Sequence, residues 1–356
     1  RLVDVGFGMP HEIKSLNQNL EGTVALMASG YEPFTFPESL TLRLERLSKL
    51  GVLACITPHP TGGRHTAHGH ASDWRDHNPN DVPLPLIHTS REDGALLIRR
   101  ANTGASVTVH VDSKQLNKTS SNVIGDLKGK NWPDEWIILG AHHDTTVDSP
   151  GAKDNASGCT LVLETARLLA RLEQEYNISP GRSIRFATFG SEEQGLQGST
   201  AFVKKHYGND PIPRLMINLD ELATGAMKGV ALQFPQLRPL IQRELDAMNE
   251  GLTCHVMSQM DSSGDMFPFA LRGIQSGMLW RWRFVGRHPD ASFGHSSSDT
   301  LDKVRTRELK EYAGLLARLL LRVSHTAPNQ WPEKSLDIDE IATRTANERG
   351  SAARTM

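Results

Sequence analysis

The sequence predicts an α/β protein, with a mixed, mostly parallel central sheet carrying helices on both faces and a smaller α/β domain before it. Three observations carry this. Apolar-rich runs at Trp136-Ile137-Ile138-Leu139, Ile184-Arg185-Phe186-Ala187-Thr188-Phe189 and Leu215-Met216-Ile217-Asn218-Leu219 read as buried strands. Long amphipathic segments alternate with them or follow them, as helices covering such a sheet must. The texture changes near residue 115, which separates a domain over 1–115 from one over 116–326, followed by a polar tail over 327–356.

In chain order, Thr23-Val24-Ala25-Leu26-Met27-Ala28 reads as the first strand. Leu40 to Leu47 reads as an amphipathic helix that stops near Gly51, and Val52 to Thr57 as a second strand. A long polar stretch from Pro58 to Pro85 follows, rich in Gly, Asp, Asn and Pro and holding His59, His65, His68, His70 and His77. Its composition supplies fixed imidazole geometry poorly, so these histidines are expected in a solvated loop rather than in a metal site. In the second domain, Leu161 to Leu172 places Leu161, Leu168, Leu169 and Leu172 on one helical face. Glu308 to Val323 does the same with Leu309, Tyr312, Leu316, Leu319 and Val323. From Asn329 on the chain is polar and is expected to be loosely held.

Charge excludes some partners. Lys and Arg number 39 against 41 acidic residues, with no basic stripe, so a nucleic-acid partner is not expected. No apolar stretch reaches the length of a membrane span. The three cysteines, Cys55, Cys159 and Cys254, are scattered and read as small buried apolar residues. Residue 1 is Arg, so a leader or a longer amino-terminal segment is compatible with the sequence.

Five patches offer imidazole or carboxylate ligands: Ala141-His142-His143-Asp144, Ala152-Lys153-Asp154-Asn155, Ser191-Glu192-Glu193, Asn218-Leu219-Asp220 and Phe293-Gly294-His295. Taken singly each has an ordinary reading, a helix cap or a solvated pair. Taken together, the patches on the strand runs fall just past carboxyl ends, where an open α/β sheet forms its ligand crevice. Imidazole and carboxylate without cysteine suit divalent zinc.

The motifs His142-x-Asp144, Asp154-Asn155-Ala156-Ser157-Gly158, Ser191-Glu192-Glu193-x-Gly195-Leu196-x-Gly198-Ser199, Asn218-Leu219-Asp220 and His295-x-x-x-Asp299-Thr300 resemble the M28 family of zinc exopeptidases, in order from about residue 120 to 325. The Asp265-x-x-Pro268-Phe269 segment is similar to that family too, and residues 1 to 111 resemble the protease-associated domain often inserted in such enzymes. The resemblance implies two Zn²⁺ per chain bridged by Asp154, with His142 and Asp220 on one and Glu193 and His295 on the other. It implies Asp144 behind His142, accepting its second N–H, and Glu192 as general base acting on a shared water. It also implies a peptide substrate and a secreted or extracytoplasmic location. One departure stands out: many members carry a tyrosine oxyanion donor before Asp265, and Gln259 to Gly264 holds none.

For substrate choice, the resemblance places a specificity loop between the last core strand and His295. There Arg281 or Arg283 could pair with a substrate carboxylate, while Trp280 and Trp282 could form an apolar wall. Aminopeptidase is the first reading and a carboxypeptidase or dipeptidase the second. A binding protein on a dead peptidase fold would have lost ligands or base, and all are present. A single-zinc glutaminyl cyclase is disfavoured by the complete dinuclear set.

Overall fold

The computed structural model of the chain describes all residues except 31–37, 61, 64, 67–82, 113–115, 210, 223–226, 249–254, 282–292, 333–338, 342 and 344–356. Two sheets organise it. The smaller is parallel throughout, in the order β1 (Leu2–Asp4), β2 (Val24–Leu26), β3 (Ala54–Pro58), β4 (Leu86–Thr89). Helices α1 (Pro10–Ser15), α2 (Leu40–Lys49) and α3 (Arg91–Ala101) connect or follow these strands.

Successive strand residues point to opposite faces, so Val3, Ala25 and Cys55 pack with Leu44 and Leu47 of α2. Leu2, Leu26 and Ile56 pack on the other side, against Leu97 and Ala101 of α3. Ser39 and Ser90 cap the longer helices by accepting from Leu42 N at 3.2 Å and Asp93 N at 3.0 Å. The sheet starts earlier than the sequence indicates, because the first strand has only three residues, too few to show a period.

The larger sheet runs β10-β9-β11-β8-β6-β7-β5, with β5 (Val123–Leu127), β6 (Trp132–His142), β7 (Arg182–Phe189), β8 (Leu215–Asn218), β9 (Met227–Leu232), β10 (His255–Ser258) and β11 (Ser276–Arg281). It is mixed and mostly parallel, as expected: β5 on β7 and β9 on β11 are the antiparallel pairs.

Ile137 and Leu139 of β6, Ile184 of β7 and Ile217 of β8 face α4 (Ser157–Tyr176), α6 (Arg238–Met248) and α8 (Thr306–Ser324). Ile138, Phe189 and Met216 face the other way, onto α5 (Gln197–His206) and α7 (Met266–Leu271). Helices therefore cover both faces, and the apolar runs of β6 and β8 need no polar alternation.

Two expectations are corrected. The stretch from Asn329 on has firm anchors: Trp331 is buried in the main core beneath the Arg182 guanidinium, and Ile341 packs with Leu196, Phe234 and Phe267. These are apolar residues in a polar sequence, too isolated to show periodicity. The histidine-rich stretch is not simply solvated either. His59 is buried, and His65 packs against Phe293 of the large domain. His68, His70 and His77 lie outside the described residues.

Candidate active site

Three neighbouring parallel strands assemble the site. β6 lies between β7 and β8, with His142 level with Phe189 and Gly140 level with Asn218. Two residues past Asn218 is Asp220, which the register therefore sets beside His142. Glu192 and Glu193 follow the end of β7.

Asp154 arrives in the turn Ala152–Ala156 that enters α4, after Gly151 in the left-handed conformation. Asn155 ties this turn to β8: its side-chain amide donates to Leu219 O at 2.9 Å and its Oδ1 accepts from Gly158 N at 3.0 Å. His295, itself at φ 58°, comes from the loop that follows β11.

The candidate donor atoms lie close together around both oxygens of Asp154. His142 Nε2 lies 3.1 Å from Asp154 Oδ1 and 3.5 Å from Asp220 Oδ1. His295 Nε2 lies 3.2 Å from Asp154 Oδ2 and 3.0 Å from Glu193 Oε2. Two donors each ~2.0–2.1 Å from a tetrahedral ion stand about 3.3 Å apart, so these spacings fit metal ligation.

His142, Asp154 and Glu193 form one group able to hold a metal ion, with all ligand atoms within 4.8 Å of one another. Asp220 Oδ1 is buried and accepts no hydrogen bond from the described residues, as an oxygen reserved for a cation would be. Gly294 lies close to the site: a Cβ on it would meet Glu221 Oε1 at 2.8 Å and displace that carboxylate.

The pattern of Peptidase family M28 matches residues 122–320. The chain belongs to that family. It is 29% identical over 275 residues to a protein named probable leucine aminopeptidase 2 from Aspergillus oryzae, covering 74% of this chain and 52% of that one. The chain spans about half the length of the curated relatives it matches.

A solved M28 peptidase precursor from Shewanella amazonensis superposes with a TM-score of 0.71 at 20% identity, covering 93% of this chain and 76% of that one. BSAP, a zinc aminopeptidase from Bacillus subtilis, does so with a TM-score of 0.63 at 21% identity, covering 90% and 74%. At these identities the two structures establish the fold.

Around the M28 centre, the partner of His142 differs in detail from the sequence expectation. His142 Nδ1 stands 3.0 Å from the backbone carbonyl of Asp144, which takes its hydrogen bond. The Asp144 carboxylate is 3.6 Å away and accepts instead from Glu192 N at 3.0 Å and Glu193 N at 3.2 Å. Asp144 thus positions both the imidazole and the Glu-Glu turn.

The structure also gives roles to residues the sequence left without one. Buried Asp299 accepts from Lys153 N and Asp154 N at 2.9 Å each, clamping the turn that carries Asp154. Buried Lys153 pairs with Glu221 at 2.7 Å. The signal for Asp299 was its spacing from His295. Nothing in the sequence pointed to Lys153 and Glu221 as partners. Of the proposed specificity residues, Arg281 ends β11, and Arg283 and Trp282 lie outside the described residues.

Electrostatics without metal is lopsided. Burial opposes a charge on His142, but Asp220, Asp144 and Asp154 outweigh it and hold its pKa well above the usual imidazole value. Burial likewise opposes a charge on His295, and Asp154 and Glu193 raise it to about 11. Asp154 is pushed the other way: burial would raise it, and the two imidazoles bring it far down.

At neutral pH the metal-free centre therefore carries imidazolium protons. A metal ligates neutral imidazole, so with His142 and His295 as ligands loading would expel them. Calorimetric zinc titrations near pH 7, in buffers of different ionisation enthalpy, are expected to show net proton release. Proton uptake would contradict the assignment of these imidazoles as ligands.

Proposed function

We propose that the chain is a two-zinc exopeptidase that releases amino-terminal residues from peptides. The observation that carries the two-metal reading is the division of Asp154, whose two oxygens face different imidazoles, each of which has a further carboxylate beside it. His142, Asp154 and Asp220 would hold one ion, and His295, Asp154 and Glu193 the other. Bound zinc supplies Lewis acidity toward the scissile carbonyl and makes a water acidic enough to attack at neutral pH.

Glu192 is the group left to move the proton. Its amide is fixed by Asp144, and burial, augmented by the Asp265, Asp220 and Glu193 carboxylates, raises its pKa well above the usual value despite the opposing His142 charge. A carboxylate with a raised pKa can take a proton from the attacking water and return it to the departing amine. The four-stranded unit precedes the peptidase domain, where the family resemblance puts a protease-associated domain, and we read it as one.

The amino-terminal direction is supported by the aminopeptidase names of the Aspergillus oryzae and Bacillus subtilis relatives, while two shorter matches carry the name glutamate carboxypeptidase 2 homolog. Its test is a panel of free aminoacyl and amino-blocked dipeptide substrates. Cleavage that requires a free α-amine is expected; cleavage confined to blocked substrates would replace this reading with a carboxypeptidase or dipeptidase. Among the described residues no helix is long and apolar enough to cross a membrane. The family resemblance supports a secreted or extracytoplasmic location, which fractionation of the source cells would check.

A further inference from the structure

We infer that His65, supplied by the small α/β unit, is a positioning residue for the loop that carries His295. This rests on the two-zinc reading of the site. His295 is the ligand with least support from its surroundings: its side chain is 44% exposed, against 1% for His142 on the central strand. It stands in the loop 293–299, which must hold two things in register. One is the His295 imidazole; the other is the Asp299 carboxylate that clamps the amides of Lys153 and Asp154. Within the loop, Ser296 Oγ donates to Phe293 O at 2.7 Å and Asp299 N to Ser296 O at 3.1 Å.

The outside of this loop is held by the other unit. His65 Nδ1 is hydrogen-bonded to Ser298 Oγ, and its ring stands edge-on to Phe293 with centroids 5.7 Å apart. Lys303 lies over the same Phe293 ring at 4.9 Å. His65 is itself held in place. Gly63 N donates to Glu92 Oε1 of α3 at 2.7 Å, and His59 N donates to Thr89 O of β4 at 2.8 Å. Gly63 has φ 109°, and a Cβ there would lie 2.6 Å from His65 Nε2, so the turn admits the ring only with glycine. A chain of contacts thus runs from the small sheet through His65 and Ser298 to the segment between His295 and Asp299. The small unit thereby helps complete the metal centre rather than merely adjoining it.

Zinc itself is the probe. Chelator competition on the full chain should show that His65→Ala and Ser298→Ala each weaken one zinc ion roughly 10–100-fold, the usual effect of losing a group that orients a ligand. The other ion should bind as in the parent. The double variant should be no worse than His65→Ala alone, because that substitution already removes the hydrogen bond to Ser298 along with the Phe293 contact. His65→Asn, which can place a polar atom near the Nδ1 position, should recover much of the loss.

Parent-like zinc affinity in a folded His65→Ala protein would overturn the assignment, as would fully additive losses in the double variant. If His65→Ala does not fold, by thermal denaturation, Ser298→Ala decides by the same criterion. A parent chain that binds no zinc would instead overturn the two-zinc reading beneath it.

Discussion

Glu192→Gln is expected to keep the zinc content of the parent and to lose turnover by roughly 10²–10⁴-fold, the usual worth of a positioned general base. The two adjacent glutamates make this a sharp separation. Glu193 Oε2 meets His295 at 3.0 Å and is proposed as a ligand, whereas among the described residues Glu192 forms no ion pair with either imidazole. Its backbone is fixed by Asp144, so an amide side chain in its place leaves the turn intact while removing the group that accepts a proton. Steady-state kinetics should show the loss in kcat, with KM changed little, and metal analysis should match the parent. A fully active Glu192→Gln protein would show that another group carries the proton.

Asp154→Ala is expected to lose metal itself. Its two oxygens serve both sets, and without it each would keep only one imidazole and one carboxylate, His142 with Asp220 and His295 with Glu193. Catalytic zinc ordinarily has three protein ligands. Asp299 would still hold the backbone of the turn, since its bonds are to the amides of Lys153 and Asp154. The loss should therefore appear as metal content near zero after dialysis, with the fold retained by circular dichroism. Retention of both ions by Asp154→Ala would remove the bridging role.

The strands that position the site are legible because strands buried on both faces of a sheet read as apolar runs, as β6 and β8 do, while β7 shows itself by its Ile184, Phe186 and Phe189. Their ends could be placed well enough to locate His142, Glu193 and Asp220, and the register then explains why they meet. Contacts distant in sequence were not legible. The Lys153–Glu221 pair looks like ordinary surface charge in the sequence, although the lysine side chain is buried.

The hydrogen bond from His142 goes to a main-chain carbonyl of Asp144, and a main-chain acceptor leaves no compositional trace. His65 read as one histidine among several in a polar loop. Its significance comes from Ser298, which only the folded chain brings to it. Trp331 and Ile341 leave no signal in the sequence for a related reason: each fills a separate apolar site, so neither belongs to a pattern.

The most direct test of the two-metal centre is the zinc stoichiometry of the chelator-stripped chain after zinc titration and removal of free ion. The division of Asp154 between His142 and His295 predicts about two zinc ions per chain, with hydrolysis of free aminoacyl substrates restored as the second is taken up. One ion per chain with full activity, or none, would contradict it.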